Sequence, residues 1–200
     1  VDAENTEPVT GDSHERLIGN IQKSASSAAA IVISDYAKGV VTIALMVAIN
    51  VIAREFNLPV FVDPKVVHED FYHYCRITAM TPNMDEAHGL AGISSESIQE
   101  VGFVILDKYS HDYVLITRGE YGMVLFEYPG GKHTWKVVPS VAKSVFDVSG
   151  AGDTVIAVLA LTYASGYTMF DAACVANKAA GIVVGKPGTA VATLDEILEQ

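Results

Sequence analysis

The sequence predicts an α/β fold, a doubly wound (Rossmann-like), mostly parallel sheet with helices on both faces. Three observations carry this expectation. Helix-like and strand-like segments alternate from about residue 12 onward, the order expected of a parallel sheet covered by helices. The run 28–34 (AAAIVIS) is apolar without alternation, as in a strand buried on both faces. The segments 59–63 (PVFVD) and 76–81 (RITAMT) each end on an acidic or polar residue followed by Pro, and the carboxyl ends of strands are where open α/β sheets hold ligands.

Taken in order, Asp12 or Ser13 caps a first helix running towards Ser24, with Leu17, Ile18 and Ile21 on one face. Residues 28–34 give the first strand, 42–56 a helix, 59–63 the second strand and 76–81 the third. Residues 113–117 (YVLIT) form a fourth. The segments 123–126 and 133–138 alternate more and flank Pro129-Gly130-Gly131, which predicts an antiparallel hairpin at one edge. Helices return at 153–164, stopped by Gly166, and at 171–184, stopped by Gly185. Thr193 and Glu196 make a capping box for a last short helix. No repeat or low-complexity linker interrupts 13–200, which read as a single domain. Residues 1–12 (VDAENTEPVTGD) are polar and read as the tail of something longer.

Half of the 200 residues are hydrophobic, enough for one good core. The net charge is −11 and Lys and Arg are scattered singly, so there is no basic stripe to hold nucleic acid. The longest apolar stretches, such as 40–52, are too short or too interrupted to span a bilayer. Cys75 and Cys174 are far apart and the sequence reads as having no secretory leader, so reduced thiols in a cytoplasmic protein are expected. His68 and His73 flank Glu69 and Asp70 at a step that fits no zinc motif, and read as a solvated surface.

The chemistry concentrates at 147–153 (DVSGAGD), preceded by a strand-like Val145-Phe146 and followed by an apolar helix. The glycines let the backbone turn sharply, and the helix start aims unpaired N–H groups at an anion. Gly150, Ala151 and Gly152 therefore form a candidate anion hole. Asp153 stands at its mouth, where a carboxylate can accept the proton of an attacking hydroxyl while the N–H groups stabilise a transferring phosphoryl group. Asn83-Met84-Asp85-Glu86 opens another helix. Asn83 and Glu86 can orient the waters around Mg²⁺, and the same spacing is a capping box.

The stretch DVSGAGDTVIAVLA resembles the second signature of the PfkB, or ribokinase-like, carbohydrate kinases. Val158 stands where that helix usually has a small residue, a departure that bears on packing rather than chemistry. The resemblance implies a kinase that uses ATP and Mg²⁺, with Asp153 as catalytic base. It further implies that Asn83, Met84, Asp85 and Glu86 are the family's Asn-x-x-Glu motif beside the nucleotide. Thr117, Arg118, Gly119 and Gly122 resemble its turn along the phosphates, and Asn177 falls where the family lines its adenine pocket. The segment 185–189 (GKPGT) resembles a loop that helps hold a monovalent cation, K⁺, in some members. Asp35 and Lys38 (in SDYAKG) and Asp63 and Lys65 (in VDPK) end strands and would face the phosphate region of an anionic substrate.

In order, SDYAKG, VDPK, TPNMDE, TRGEYGM, DVSGAGDTVI and VVGKPGT resemble the heptose 7-phosphate kinase branch of the family. The acceptor implied is D-glycero-D-manno-heptose 7-phosphate, with ribokinase- or fructokinase-type substrates as the alternative and a nucleotide-binding module without turnover as the other. Family members begin with a strand carrying a substrate-binding Asp and a Gly-Gly segment, then a small β lid that often builds a dimer. Neither has a counterpart here, so 1–12 are expected to be a remnant of the lid connection and 13–200 the ATP-binding core. A homodimer is expected of the intact protein.

Overall fold

The computed structural model describes residues 6–142 and 145–199; residues 1–5 of the expected lid remnant lie outside them. A six-stranded sheet runs in the order β1 (Ile31–Ser34), β2 (Val60–Asp63), β3 (Ala79–Met80), β4 (Tyr113–Thr117), β5 (Met123–Glu127), β6 (Thr134–Val138). β1 to β4 are parallel and β5 and β6 antiparallel, so the expected edge hairpin is present.

The period of two along each strand divides the core between the two faces of the sheet. Ile33, Val60, Val62, Met80, Val114, Ile116, Val124 and Phe126 point to one face, packed with α1 (Gly11–Ala25), α2 (Ile43–Phe56), α3 (Met84–Ala91) and α4 (Ile98–Tyr109). Phe61, Ala79, Leu115, Met123, Leu125 and Val138 point to the other, under α5 (Ala151–Ala164) and α6 (Met169–Val184). Val158, the departure from the family helix, packs against this second core. Thr42 caps α2 through its side chain, and α7 (Leu194–Leu198) starts with the expected Thr193/Glu196 box.

Four expectations change. Asp12 and Ser13 do not cap α1: both lie inside it, and Thr10 stands at its N-cap with no side-chain bond. The third strand shrinks to Ala79–Met80, because the Arg76 N–H bonds the Asn50 side chain (3.1 Å) instead of entering the ladder. Val145-Phe146 is not a strand. The N–H groups of Phe146 and Asp147 bond the Val184 carbonyl at the end of α6 (2.6 and 3.1 Å), which leaves the Phe146 side chain exposed. The stretch around His68 is only in part the expected solvated surface: Asp70 and His73 are exposed, but His68 is half-buried. The stretch is a 3₁₀ segment, Val66–Tyr74, with Tyr72 fully buried, and His68 stacks on Phe71. A short segment crossing from β2 to β3 has to cover the core, and its aromatic residues do so.

Candidate active site

α5 begins in an unusual way. Gly150, its N-cap, has φ of 77°, and no side chain caps the helix. The left-handed backbone is one that glycine adopts without strain, and it turns the chain sharply into the helix. Ala151 N–H returns to the Val148 carbonyl and Thr154 N–H to Gly150, while the N–H groups of Gly152 and Asp153 find no acceptor among the described residues. These are the unpaired donors of a helix start, and they favour an anion. Asp147 shapes the approach by accepting the Ser149 N–H (2.9 Å), and that bond holds its carboxyl below the usual range. The 185–189 loop lies against the same turn, since a Cβ on Gly150 would sit 3.9 Å from the Thr189 methyl.

A cavity of about 620 Å³ opens beside this helix start. Its walls bring together much of what the sequence singled out: Thr117, Arg118, Gly119, Gly122, Ala151, Gly152 and Asn177. Arg118 lies over the Tyr121 ring (5.4 Å), and Arg118 N–H closes the turn on the Gly122 carbonyl (2.8 Å). Asn177 is buried and donates to the Pro139 carbonyl (2.8 Å), which fixes the segment after β6 that forms the cavity's back wall. Val145 and Val148 add an apolar lip, a role the strand reading of that segment concealed.

Asp153 receives two hydroxyl donors. Ser34 Oγ donates to Oδ1 (2.9 Å), and the Tyr36 hydroxyl lies 2.9 Å from Oδ1 and 2.7 Å from Oδ2. The bond to Asp153 raises the Tyr36 phenol above its ordinary value. A second cleft, of about 450 Å³, is lined by Ser34, Asp35, Tyr36, Lys38, Val40 and Val41. Asp153 thus stands between two clefts, one reached through Gly152 and the other through Ser34 and Tyr36.

Asp63, Lys65 and Glu86 meet at the ends of β2 and β3. Lys65 pairs with Glu86, and that bond raises the Lys65 ammonium. Burial, and then the Glu86 charge, push the Asp63 carboxyl up to about 6. The Asp63 carboxylate also faces the helix start, 3.7 Å from where a Gly152 Cβ would lie. Asn83 and Glu86 form the full capping box of α3, with Asn83 Oδ1 accepting the Glu86 N–H (2.9 Å) and Glu86 Oε2 accepting the Asn83 N–H (3.1 Å). Thr117 N–H bonds the Pro82 carbonyl (3.0 Å), which joins this motif to the 117–122 turn.

Other predicted residues are not brought to the cavity. Met84 packs into the first core, and Asp85 is exposed in the first turn of α3. Asp35 is 2% exposed, and its carboxylate accepts from Ala37 N–H and the Tyr72 hydroxyl and bonds His68 Nδ1, each at 2.8 Å. It anchors the loop and the 3₁₀ segment, its carboxylate held by these donors while the residue also lines the second cleft. The sequence reading missed Ser34, Tyr36, His68 and Tyr72. Strand alternation was the available signal for Ser34 and Tyr36, since it sends them to the face opposite the inward Asp35.

This fold and this glycine-turned helix start are those of the pfkB family of carbohydrate kinases, to which the chain belongs; the family's model matches residues 3–196. Among curated relatives, the bifunctional protein HldE of Citrifermentans bemidjiense is 42% identical across 100% of this chain, which covers 41% of that protein. HldE of Erwinia tasmaniensis is 41% identical over 92% of this chain and 37% of its own length. The chain therefore spans about two fifths of these relatives.

Solved structures share the fold at much lower identity. Escherichia coli phosphofructokinase-2 in complex with potassium has a TM-score of 0.82 at 16% identity, over 96% of this chain and 62% of that one. Arabidopsis thaliana ribokinase complexed with ribose and ATP has 0.76 at 18%, over 98% and 61%.

Proposed function

We propose that the protein carrying this chain transfers the γ-phosphoryl group of MgATP to a sugar hydroxyl, with Asp153 as the base. The observation that supports this most directly is the position of Asp153. Its oxygens already accept hydroxyl donors, and it leads the helix whose open N–H groups border a cavity of about 620 Å³. On this reading the nucleotide lies along Thr117, Arg118, Gly119 and Gly122, with its base near Asn177. The γ-phosphate meets the open N–H groups of the turn that Gly150, Ala151 and Gly152 form, with the Ala151 N–H held by the Val148 carbonyl. The acceptor enters past Ser34, Tyr36 and Lys38, and its proton passes to Asp153 as the phosphoryl group leaves ADP.

The Asp63 and Glu86 carboxyls lie close enough for the Glu86 charge to help raise Asp63, and Lys65 bonds Glu86, so a cation fits there beside the Lys65 ammonium. When bound there, through the water layer held by Asn83 and Glu86, Mg²⁺ would neutralise charge building on the phosphates.

The acceptor in this proposal is D-glycero-D-manno-heptose 7-phosphate, phosphorylated at its anomeric hydroxyl to the 1,7-bisphosphate. Support comes from the ordered SDYAKG, VDPK and GKPGT segments and from the relatedness to bifunctional HldE proteins. An ADP-release assay on the complete gene product, run with this heptose phosphate, ribose, fructose and fructose 6-phosphate, tests it. The heptose phosphate should lead by roughly 100-fold in kcat/KM. Preference for an unphosphorylated pentose overturns the acceptor, and nucleotide binding without turnover on any sugar overturns the kinase.

A further inference from the structure

The Tyr36 contact places a phenol on the base where an acceptor hydroxyl is required. A hydroxyl about to be phosphorylated must donate to Asp153, and here the Tyr36 hydroxyl makes that contact with both carboxylate oxygens, at 2.9 and 2.7 Å. The loop holding Tyr36 is built for this position. Ala37, next in the chain, sits at φ of 54°, a backbone that costs a non-glycine residue about 1 kcal/mol. The turn is held by the inward carboxylate of Asp35, itself gripped by His68 and Tyr72, and by the Val9 N–H on the Gly39 carbonyl (2.8 Å). Strain kept by several independent contacts beside a reactive group is a mark of function. Tyr36 itself is 56% exposed, so no packing prevents its ring from swinging aside.

We propose, resting on the kinase reading above, that Tyr36 is an acceptor-mimicking guard: its hydroxyl occupies Asp153 until a sugar hydroxyl displaces it, and so keeps water from taking that place. With the base unguarded, a water oxygen attacks the γ-phosphorus, the bond to ADP breaks, the water proton passes to Asp153, and the products are ADP and inorganic phosphate. With the guard in place, both carboxylate oxygens are occupied. The phenol holds its proton more tightly than an ordinary tyrosine, which suits a donor rather than a nucleophile.

The test compares the complete wild-type gene product with Tyr36→Phe, which removes only an exposed hydroxyl. Phosphate release from MgATP without sugar should rise roughly three- to tenfold, the scale of one partly solvated bond to a charged group. The acceptor KM should fall by a similar factor, the change falling on KM more than on kcat, a split that a merely structural role does not produce. Unchanged hydrolysis and KM overturn the proposal, as does a fall in kcat with hydrolysis unmoved, which would make the phenol an assistant. Phosphate found on Tyr36 by mass spectrometry after incubation with MgATP also overturns it. The two readings fail separately. If no sugar is phosphorylated but Tyr36→Phe still raises hydrolysis, the kinase reading falls while the phenol still shields the base from water; if sugar is phosphorylated and hydrolysis and KM stay put, only the guard falls.

Discussion

Lys65 donates to Glu86, and this single pair ties the carboxyl end of β2 to the first turn of α3. Glu86 also accepts the Asn83 N–H, so one side chain serves as helix cap and as part of the charged cluster around Asp63. Glu86→Gln separates the roles, because an amide oxygen still completes a capping box and carries no charge. The melting temperature should move by no more than about 4 °C. The Mg²⁺ concentration for half-maximal turnover of the complete protein should rise about tenfold, read from a magnesium titration.

Asp153→Asn keeps the size of the side chain and removes the proton acceptor. Turnover should fall by about 10²- to 10⁴-fold, while calorimetric ATP binding changes by less than about threefold. Near-normal turnover would remove Asp153 from the role of base.

Gly122 has φ of 78° and lies under the end of β6. A Cβ there would meet the Val138 carbonyl oxygen at 2.2 Å and the Ser140 nitrogen at 2.6 Å. Backbone atoms cannot step aside as a side-chain tip can. Gly122→Ala should cost about 2–4 kcal/mol in denaturant unfolding and should deform the wall that carries Thr117 and Arg118.

His111 is buried, and neither ring nitrogen has a partner among the described residues. Burial holds its pKa down to about 3. The unfolded chain takes up a proton near the ordinary histidine value and the folded chain does not, so stability is full above about pH 6.5 and falls as pH drops towards 3. The loss by pH 5 should be on the order of 1–2 kcal/mol. Thermal melts from pH 7.5 to 4.5 should show a shallower acid decline for His111→Phe, which also removes the unpaired nitrogens. Parallel declines in the two proteins would reject this account.

The layered fold was legible because it depends on local pattern. Short apolar runs such as 113–117 and apolar helices stopped by Gly166 or Gly185 declare themselves within a few residues. The third strand failed for a non-local reason, since Arg76 is drawn to Asn50 and Asp112 rather than to the sheet. The 3₁₀ segment with Tyr72 escaped notice because its polar residues, Glu69, Asp70 and the histidines, hide an inward aromatic face.

By itself the sequence determined the glycine-turned start of α5, the position of Asp153 on it, the capping boxes and the family, since each is a matter of adjacent residues and backbone freedom. Only the tertiary structure decided what meets Asp153. Ser34 and Tyr36 lie 119 and 117 residues away along the chain, and only the packing of β1 beside the α5 layer brings them into contact. It decided the fate of Asp35 too. Spacing places that carboxylate at a strand end, where ligands bind, but burial among His68 and Tyr72 turns it inward, because a buried carboxylate is tolerated only where donors converge on it.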